Sequence, residues 1–421
     1  MSVTPPKTEN VDLIMTAPPS KSYTHRALIA AALAEGKSTI FRPLDAEDTK
    51  LTAGALRLLG IIAEEQPRRI IVTGCNGDIP NRATTTLELE NSGTSLRLLT
   101  SLALLCRHPV ILTGSARMQE RPIGPLAEAL PALGGTVEFL KNAGFPPIRV
   151  SGKLLGGPVT IDGSMSSQFI SSILMAAPYA QEEVEVIIPT PPASASYLDI
   201  TLDVMETFGA KITRDGYERF RVSPADRYKG RRYTVEGDYS SASYFFALAA
   251  VCGGRVRVKN LAEHSAQGDR QFLDALAAMG CKVTFGKEFV MVERSGELSG
   301  ITFDMSSSPD TVQTLCMVAA MAQSPTTITG ISHLKFKESD RINGTADRLR
   351  SLGGHVDVGE DSLTIHPAPL HGGPIDPAND HRTAMSFAVL GVGIGGITIT
   401  DPACVNKSFP GFWESMKGVI P

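Results

Sequence analysis

Several features are scarce in this sequence, and each shortage excludes a class of protein. The 421 residues carry a net charge of −4, so no general excess of positive charge favours nucleic acid as a partner. The six cysteines lie far apart, without a CxxC pair or a His/Cys cluster, which argues against a zinc site and a disulfide framework. We therefore expect reduced thiols, no metal and no nucleic-acid partner.

Long apolar runs are also missing. The longest apolar-leaning run, residues 384–398, is glycine-rich and shorter than the ~20 apolar residues that span a bilayer. The opening residues, MSVTPPKTENVD, are polar and lack the hydrophobic segment of a signal peptide. We expect a cytoplasmic protein that has no membrane partner.

Two glycine-containing stretches resemble nucleotide-binding loops but stand in the wrong context. Ala31–Ser38 (AALAEGKS) ends a helical pattern and precedes a strand pattern, whereas a phosphate-binding loop follows a strand and opens a helix. Gly391–Gly396 (GVGIGG) likewise follows a helical pattern and precedes a strand. Neither stretch therefore predicts a nucleotide cofactor, and we expect no cofactor.

The sequence does contain a sixfold repeat. In each copy a turn rich in Ser, Asp or Gly opens a helix of small and apolar residues, and a β-branched strand follows. Steps of 71, 73, 74, 70 and 72 residues separate the anchors Ser22, Gly93, Ser166, Ser240, Asp310 and Arg382. A second, more amphipathic helix ends at Gly60, Gly134, Gly209, Gly280 and Gly353 in the first five copies. These glycines are expected to cap their helices in the left-handed conformation.

The repeat predicts an α/β fold. Each copy reads strand–helix–strand–helix–strand–strand, and the C-terminus cuts the sixth copy short. Such regularity indicates duplication, and six βαβαββ copies fit two domains of three. The first helix of each copy should be buried, and the second should face solvent on one side. The polar starts of the buried helices suit phosphate or carboxylate, so two facing domains would form an anion-attracting cleft.

One charged stretch, LKFKESDRINGTADRLR at residues 334–350, interleaves cations and carboxylates. We expect Lys337, Glu338 and Arg341 to lie in the first turn of a helix. Residues three and four apart share a helix face, so Lys337 and Arg341 would point at one anion. Glu338 would then be an acid or base between two positive charges. The alternative interpretation is a solvated charged surface.

Other polar motifs stand at predicted helix starts or in loops. Lys21, Ser22 and Arg26 begin the first helix, where the alternative is an N-cap with solvated charges. Asp310 is a lone carboxylate at a helix start, where the alternative is a cap. The remaining candidates are Gly93, Arg121, Ser166, Ser167, Gln168, Ser194, Tyr197, Arg382 and Lys407. Seven of the cations in these motifs, in a net-acidic chain, predict a ligand set with several negative charges.

Nine motifs occur in order along nearly the whole chain: PSKSYTHRAL, NSGTSLR, RMQERPIG, GSMSSQF, EGDYSSASYF, SPDT, KESDR, DHRTAMSF and NKSFPGFW. Together they resemble the EPSP synthase (3-phosphoshikimate 1-carboxyvinyltransferase) family. The resemblance implies transfer of the enolpyruvyl group of phosphoenolpyruvate to the 5-hydroxyl of shikimate 3-phosphate, with release of phosphate. These two small molecules are the expected partners, in the shikimate pathway to chorismate and the aromatic amino acids.

The resemblance also implies a fold and a domain division. The expected fold is a two-domain inside-out α/β barrel, or prism, with three βαβαββ repeats in each domain. The expected domains are residues 20–235, and residues 1–19 with 236–421, with the active site in the cleft between them. The expected state is a monomer.

The family's site residues carry over motif by motif. The resemblance assigns catalysis to Asp310, Glu338 and Lys21, with Asp310 as the proton acceptor and Glu338 or Lys21 as the acid. It assigns shikimate 3-phosphate binding to Lys21, Ser22, Arg26, Ser166, Ser167, Gln168, Ser194, Tyr197, Asp310 and Lys337. It assigns phosphoenolpyruvate binding to Lys21, Gly93, Arg121, Gln168, Arg341, Arg382 and Lys407.

One position departs from the family pattern, because His333 stands where the family commonly has Asn. The unsubstituted Gly93 implies sensitivity to glyphosate, which competes at the phosphoenolpyruvate site in this family. The nearest alternative is the sister enzyme that acts on UDP-N-acetylglucosamine, but the loop at Arg117–Ile123 lacks the reactive cysteine typical of that enzyme. A nucleotide- or RNA-binding protein on the same repeat is the other alternative.

Overall fold

The computed structural model describes residues 2–419, and the chain divides into two compact units. The contiguous unit is Pro19–Val235. The split unit combines Met1–Pro18 with Glu236–Pro421. Each unit contains three of the six copies of the repeat.

Strand β1 (Val11–Thr16) belongs to the split unit, and the chain then builds the contiguous unit. The helices of the contiguous unit are α1 (Lys21–Leu33), α2 (Glu47–Leu58), α3 (Gly93–Leu102), α4 (Gly124–Ala129), α5 (Ser167–Ala176) and α6 (Ser196–Thr207). Its strands are β2 (Lys37–Phe41), β3 (Ile62–Gln66), β4 (Arg69–Thr73), β5 (Thr85–Glu88), β6 (Val110–Thr113), β7 (Gly135–Phe139), β8 (Ile148–Gly152), β9 (Gly157–Thr160), β10 (Val184–Ile187), β11 (Ile212–Asp215), β12 (Arg219–Val222) and β13 (Arg232–Thr234).

The rest of the split unit follows. Its helices are α7 (Tyr239–Cys252), α8 (Phe272–Ala278), α9 (Val312–Ala319), α10 (Asn343–Ser351), α11 (His381–Ile394) and α12 (Phe412–Met416). Its further strands are β14 (Gly254–Lys259), β15 (Lys282–Gly286), β16 (Phe289–Arg294), β17 (Thr302–Asp304), β18 (Thr326–Thr329), β19 (His355–Val358), β20 (Ser362–His366), β21 (Gly373–Ile375) and β22 (Ile397–Ile399). Short 3₁₀ helices cover Ala103–Leu105, Met118–Glu120, Leu130–Leu133, Ala177–Tyr179, Gly268–Gln271, Pro309–Thr311, Ser332–Phe336, Pro402–Lys407 and Lys417–Val419.

The predicted βαβαββ repeat is confirmed by this element order, with the sixth copy ending early. The sheets of the contiguous unit have the orders β13-β2-β4-β3, β5-β6-β8-β7 and β11-β12-β10-β9. Those of the split unit are β1-β14-β16-β15, β17-β18-β20-β19 and β21-β22. Each four-stranded sheet contains one parallel pair of strands, and its other pairings are antiparallel, as in β5 with β6 and β6 with β8.

The first and fourth copies exchange their opening strands. Strand β1 pairs in parallel with β14, so Val11–Thr16 lies opposite Gly254–Lys259. Strand β13 pairs in parallel with β2 of the contiguous unit. The contiguous unit therefore completes one sheet with β13 from the end of its own segment, and the split unit completes one sheet with β1 from its other segment, residues 1–18.

The first helix of each copy is buried, as the sequence predicts. Every residue of α7 is buried, and all of α1 except Ser22 is buried. In the split unit α7, α9 and α11 pack against one another, with the apolar faces of the sheets around them. Small residues of these helices, such as Ala247, Ala249 and Ala388, are fully buried.

Glycines end the second helices in the predicted left-handed conformation. Gly60, Gly134, Gly209, Gly280 and Gly353 have φ values of 93°, 91°, 105°, 105° and 89°. A residue with a side chain is strained at such angles, so each glycine stops its helix and turns the chain into the next strand.

Among residues 2–419, no helix has both the length and the apolar character needed to cross a bilayer.

Candidate active site

The start of α1 carries Lys21, Ser22 and Arg26. Ser20 is the N-cap, and its side chain accepts from the Tyr23 amide at 3.5 Å. The Arg26 side chain is 1% exposed. Its Nε donates to Thr201 Oγ1 at 2.7 Å, and its two terminal nitrogens donate to the carbonyls of Ser22 at 3.1 Å and Tyr197 at 3.2 Å. Burial lowers the pKa of Arg26 to about 10, so the guanidinium stays charged at neutral pH.

Lys21 lies beside a buried carboxylate. Its Nζ is 3.3 Å from Oδ2 of Asp48, which is 2% exposed. Further along α1, His25 Nδ1 contacts Thr52 Oγ1 at 2.7 Å, and Thr52 in turn contacts Ser95 Oγ at 2.8 Å. These buried contacts join α1, α2 and α3, so they hold the start of α1 against its neighbours.

The start of α5 positions Ser166, Ser167 and Gln168. Ser166 is the N-cap and accepts from the Gln168 amide at 3.3 Å. The Gln168 side chain is held at both ends, because Oε1 accepts from Arg97 at 3.0 Å and Nε2 donates to Thr94 at 3.0 Å. Sequence reasoning missed Arg97, although it closes the NSGTSLR motif one helical turn after Gly93.

Ser194 and Tyr197 lie around the start of α6. Ser194 is buried and has a positive φ of 59°. The sequence predicts Tyr197 in a turn, but this residue is the second residue of α6, which begins at Ser196. The Tyr197 carbonyl accepts from Arg26, so the turn of the chain that carries Tyr197 also orients that arginine.

Gly93 begins α3 and lies directly against Arg121. Arg121 Nη1 donates to the Asn91 carbonyl at 3.0 Å and to Asn91 Oδ1 at 3.2 Å. A Cβ added at Gly93 would stand 2.6 Å from Arg121 Nη2 and 2.8 Å from Cζ. The absence of a side chain at this position therefore allows the guanidinium to lie over the helix start.

In the split unit Asp310 lies in the 3₁₀ turn Pro309–Thr311, just before α9. It is not a cap for that helix, because its oxygens face two arginines. Oδ1 accepts from Arg341 Nη1 at 3.1 Å, and Oδ2 accepts from Arg382 Nη2 at 2.6 Å. Asp310 thus links the fifth and sixth copies of the repeat.

The predicted helix start at Lys337, Glu338 and Arg341 is wrong. A 3₁₀ helix covers Ser332–Phe336, a bend follows, and α10 begins only at Asn343. Just before this helix, Asp340 Oδ1 accepts from the amides of Ile342 and Asn343 at 3.0 Å each. Lys337 and Glu338 consequently lie on irregular chain ahead of the helix.

Arg341 is nevertheless buried in a cluster of carboxylates, with only 2% of its side chain exposed. It donates to Asp380 from Nε at 2.8 Å and from Nη2 at 3.2 Å, and to Glu338 Oε2 at 2.8 Å. Burial alone would lower the pKa of Arg341, but the charges of Asp380, Glu338 and Asp310 raise it well above its ordinary value. The interpretation of this stretch as a solvated surface is therefore wrong for Arg341.

Asp380, which sequence reasoning did not select, supports both arginines of the cluster. It is the N-cap of α11 and accepts from the Arg382 amide at 3.0 Å, while its side chain binds Arg341. Arg382 also donates to Tyr244 Oη at 3.2 Å, and burial raises the pKa of Tyr244 to about 12. The sequence could have pointed to Asp380, because this residue begins the DHR motif at the N-cap of the following helix.

Two further side chains of the split unit are buried. Lys407 ends the 3₁₀ helix Pro402–Lys407 and is 7% exposed. His333 is 6% exposed, and burial, aided by the charge of Lys337, lowers the pKa of His333 to about 3. His333 is therefore neutral throughout the physiological range.

Asp269 is a second buried carboxylate that sequence reasoning missed. It accepts from the hydroxyl of Ser240 at the start of α7 and from Ser308 Oγ at 3.3 Å, next to the turn that carries Asp310. Burial, and then the charge of Asp310, raise the pKa of Asp269 to about 7. Asp269 thus joins the starts of α7 and α9 beneath the carboxylate–arginine cluster.

The structure divides the sequence-derived candidates between the two units. The contiguous unit holds Lys21, Ser22, Arg26, Gly93, Arg121, Ser166, Ser167, Gln168, Ser194 and Tyr197. The split unit holds Asp310, Lys337, Glu338, Arg341, Arg382 and Lys407. Direct hydrogen bonds connect Asp310, Glu338, Arg341 and Arg382. This set places carboxylates suited to proton transfer beside guanidiniums that bind anions.

Comparison with known proteins gives one consistent result. The sequence matches the family described as EPSP synthase (3-phosphoshikimate 1-carboxyvinyltransferase) over residues 6–416. It is 64% identical to the 3-phosphoshikimate 1-carboxyvinyltransferase of Methanoregula boonei over 420 residues, which cover 100% of both chains. It is 41% identical to the protein of the same name from Serratia proteamaculans, over 95% of this chain and 94% of the other.

The fold is similar to a solved structure as well. The structure of EPSP synthase from Acinetobacter baumannii superimposes with a TM-score of 0.82 at 28% sequence identity, covering 99% of this chain and 97% of the other. Sequence and fold thus agree over almost the full length of the chain.

Proposed function

The chain belongs to the EPSP synthase family, and from that premise we propose that the candidate residues of both units carry out enolpyruvyl transfer. The reaction moves the carboxyvinyl group of phosphoenolpyruvate to the 5-hydroxyl of shikimate 3-phosphate and releases phosphate. The observation that carries the proposal is the contact of Asp310 with both Arg341 and Arg382, since it sets a base beside two anion-binding groups.

Addition of the hydroxyl to the enol double bond needs a base on the hydroxyl and an acid at the methylene carbon. Asp310 takes the proton of the attacking hydroxyl, and its two arginine contacts fix the orientation of the carboxylate. Glu338, which Arg341 holds at 2.8 Å, delivers a proton to the methylene carbon, with Lys21 as the other candidate acid. Elimination of phosphate then reverses these proton transfers.

The contiguous unit supplies most contacts to shikimate 3-phosphate. Lys21, Ser22 and Arg26 at the start of α1 bind its phosphate, where helix N–H groups also favour an anion. The ring and its hydroxyls are bound by Ser166, Ser167, Gln168, Ser194 and Tyr197, with Asp310 and Lys337 at the reacting side. The hydrogen bonds that fix Gln168 at both ends support this assignment, because a held amide loses little freedom on binding.

Phosphoenolpyruvate is bound mainly by arginine side chains. Arg341 and Arg382 pair with its carboxylate and phosphate, since guanidinium groups bind both bidentately. Lys21, Gly93, Arg121, Gln168 and Lys407 complete the set. The close approach of Arg121 to Gly93 supports the assignment of these two residues to one subsite.

The compartment, oligomeric state, cofactor requirement and inhibition are proposed from the same family membership. We place the enzyme in the cytoplasm as a monomer, without nucleic-acid or membrane partners. We propose that the reaction needs no cofactor, because acid–base groups of the protein assist both the addition of the hydroxyl and the elimination of phosphate. Competition by glyphosate at the phosphoenolpyruvate subsite is expected from the unsubstituted Gly93.

The direct test is phosphate release from phosphoenolpyruvate, measured with one acceptor at a time. We expect release with shikimate 3-phosphate and none with UDP-N-acetylglucosamine, with the vinyl ether product identified by proton NMR. Release with the sugar nucleotide alone would assign the chain to the sister reaction. No release with either acceptor, from a protein that unfolds cooperatively, would refute the proposal.

A further inference from the structure

A cluster outside the candidate active site lies on the hairpin of β19 and β20. The two strands are antiparallel, and His355 lies directly opposite His366. Asp357 is two residues beyond His355, so the side chains of all three residues project from the same face of the sheet. The His355 and His366 rings are stacked, with centroids 4.4 Å apart and planes inclined by 20°.

The carboxylate of Asp357 bridges the two imidazoles. Its Oδ2 lies 2.8 Å from His366 Nε2, and its Oδ1 lies 3.9 Å from His355 Nε2. One ligand atom from each of the three residues lies within 4.8 Å of the others.

We propose that His355, Asp357 and His366 form a binding site for a divalent transition metal, with Zn²⁺ as the best match. Two imidazole nitrogens and one carboxylate oxygen are ligands that zinc prefers, whereas Mg²⁺ and Ca²⁺ prefer sites made of oxygen alone. The site is distinct from the candidate catalytic residues and from the family's reaction.

The spacing of the donors fits this ion. Zinc bonds to nitrogen and oxygen are ~2.0–2.2 Å long, so two ligands of a tetrahedral ion stand roughly 3.3–3.6 Å apart. The observed contacts of 2.8 Å and 3.9 Å lie on either side of that range. Small side-chain rotations bring all three atoms to one ion, and water completes the coordination because the site is open to solvent.

The position in the sheet gives the metal a structural consequence. Strand β19 is at the edge of the sheet β17-β18-β20-β19, and its outer backbone groups have no strand partner in that sheet. A metal held by His355 and Asp357 on β19 and by His366 on β20 fastens the edge strand to its neighbour. An ion that binds only the folded chain raises the stability of the protein by mass action.

The spacing rules for zinc motifs did not reveal this site. His355 and Asp357 form an H-x-D pair, but His366 is eleven residues beyond His355 and joins them only through the hairpin register. The site is therefore visible only when the pairing of β19 with β20 is known.

The test uses the full-length chain without an affinity tag, stripped with a chelator, and titrated with ZnCl₂ against a chromogenic zinc indicator. We expect one Zn²⁺ per chain and a higher midpoint of thermal unfolding when Zn²⁺ is present. His355→Ala and His366→Ala should each weaken binding by more than ~10-fold, the lower limit for losing even an outer partner of a metal ligand. Both variants should lose the thermal shift.

The matched control is His371→Ala, which removes an exposed imidazole that lies outside the three-residue site. This variant should bind Zn²⁺ as tightly as the unsubstituted chain, and Mg²⁺ should compete in neither protein. Unchanged affinity in His366→Ala, or no stoichiometric binding by the unsubstituted chain, would overturn the proposal.

Discussion

The two units hold their buried cations in different ways. In the contiguous unit the guanidinium of Arg26 donates to a hydroxyl and two carbonyls, and that of Arg97 donates to an amide oxygen. In the split unit Arg341 contacts the carboxylates of Asp310, Glu338 and Asp380. The same residue type is thus oriented by neutral groups in one unit and by anions in the other.

The difference separates two tasks of the proposed reaction. Neutral acceptors fix a guanidinium without cancelling its charge, so the contiguous unit keeps positive charge for phosphate groups. Carboxylates offset part of the charge of Arg341 and Arg382, which the proposal also assigns to phosphoenolpyruvate, and they provide groups that accept and donate protons. Lys21 is the exception in the contiguous unit, because it pairs with Asp48, and it is also that unit's candidate acid.

The largest effect should come from Glu338→Gln in the split unit. Loss of the proton donor should lower kcat by ~10²–10⁴-fold, while the KM values for both substrates change far less. Arg341 keeps Asp310 and Asp380 as partners, so the arginine stays in place. Steady-state kinetics of phosphate release measures both constants, and the exposed Glu360→Gln is the control. Near-normal turnover would show that Glu338 is not the proton donor and has a purely structural role.

A smaller effect, on binding instead of turnover, is expected for Arg26→Lys in the contiguous unit. Lysine cannot donate to Thr201, Ser22 and Tyr197 together, and a hydrogen bond of a charged group contributes about 1.5–3 kcal/mol. The KM for shikimate 3-phosphate should rise ~10–100-fold, with a lesser change in kcat. Arg82→Lys, at an exposed arginine of the same unit, is the control. A decrease in kcat with an unchanged KM for shikimate 3-phosphate would contradict the proposed division of tasks between the two units.

Gly93→Ala should have a more moderate effect. The new methyl group would stand 2.6 Å from Arg121 Nη2, so the arginine must shift to a less favoured rotamer, at a cost of about 0.5–1.5 kcal/mol. The KM for phosphoenolpyruvate should rise ~2–10-fold, and inhibition by glyphosate should weaken. Gly124→Ala is the control, because its Cβ would meet other atoms only at 3.5 Å or beyond. Unchanged KM and inhibition would separate Gly93 and Arg121 from the phosphoenolpyruvate subsite.

The smallest effect at neutral pH is expected for His333→Asn, since the histidine is neutral there. Its folded pKa of about 3 lies below the ordinary value, so the unfolded chain binds a proton that the folded chain does not, between pH 6.5 and about 3. Stability is therefore lost as pH falls through this window, and the substitution should reduce that loss. Chemical unfolding at a series of pH values measures the slope. The exposed His371→Asn should leave the slope unchanged, and an unaltered slope in His333→Asn would contradict the assigned burial effect.

Much of the architecture could be predicted from the sequence, because the same pattern of helices and strands occurs in each of the six copies of the repeat. The βαβαββ order, the buried first helices and the left-handed glycines such as Gly60 are confirmed, as are the family and its reaction class. The prediction that a helix begins within the charged stretch at Lys337 is wrong, because α10 begins only at Asn343. Helical periodicity cannot show that the carboxylate of Asp340 accepts from the Asn343 amide, where the helix begins.

The residues that sequence reasoning missed share a physical reason. Asp269 lies about forty residues before Asp310 in sequence, and Asp380 about forty residues after Arg341, yet both carboxylates approach the cluster through packed helix starts. No spacing rule connects such residues, because each contact depends on how neighbouring copies of the repeat pack. The roles of the individual site residues in substrate binding and proton transfer stay predictions.

The exchange of β1 and β13 between copies has a consequence for synthesis on the ribosome. Strand β1 leaves the ribosome well before its partner β14, which follows only after roughly 240 more residues, and their synthesis takes tens of seconds at ~5–20 residues per second. The contiguous unit contains all of its own strands and can fold during that interval. Strand β1 therefore waits for its partner while the whole contiguous unit is made, and a nascent chain stalled before Gly254 would carry Val11–Thr16 as an unpaired apolar segment open to chaperones.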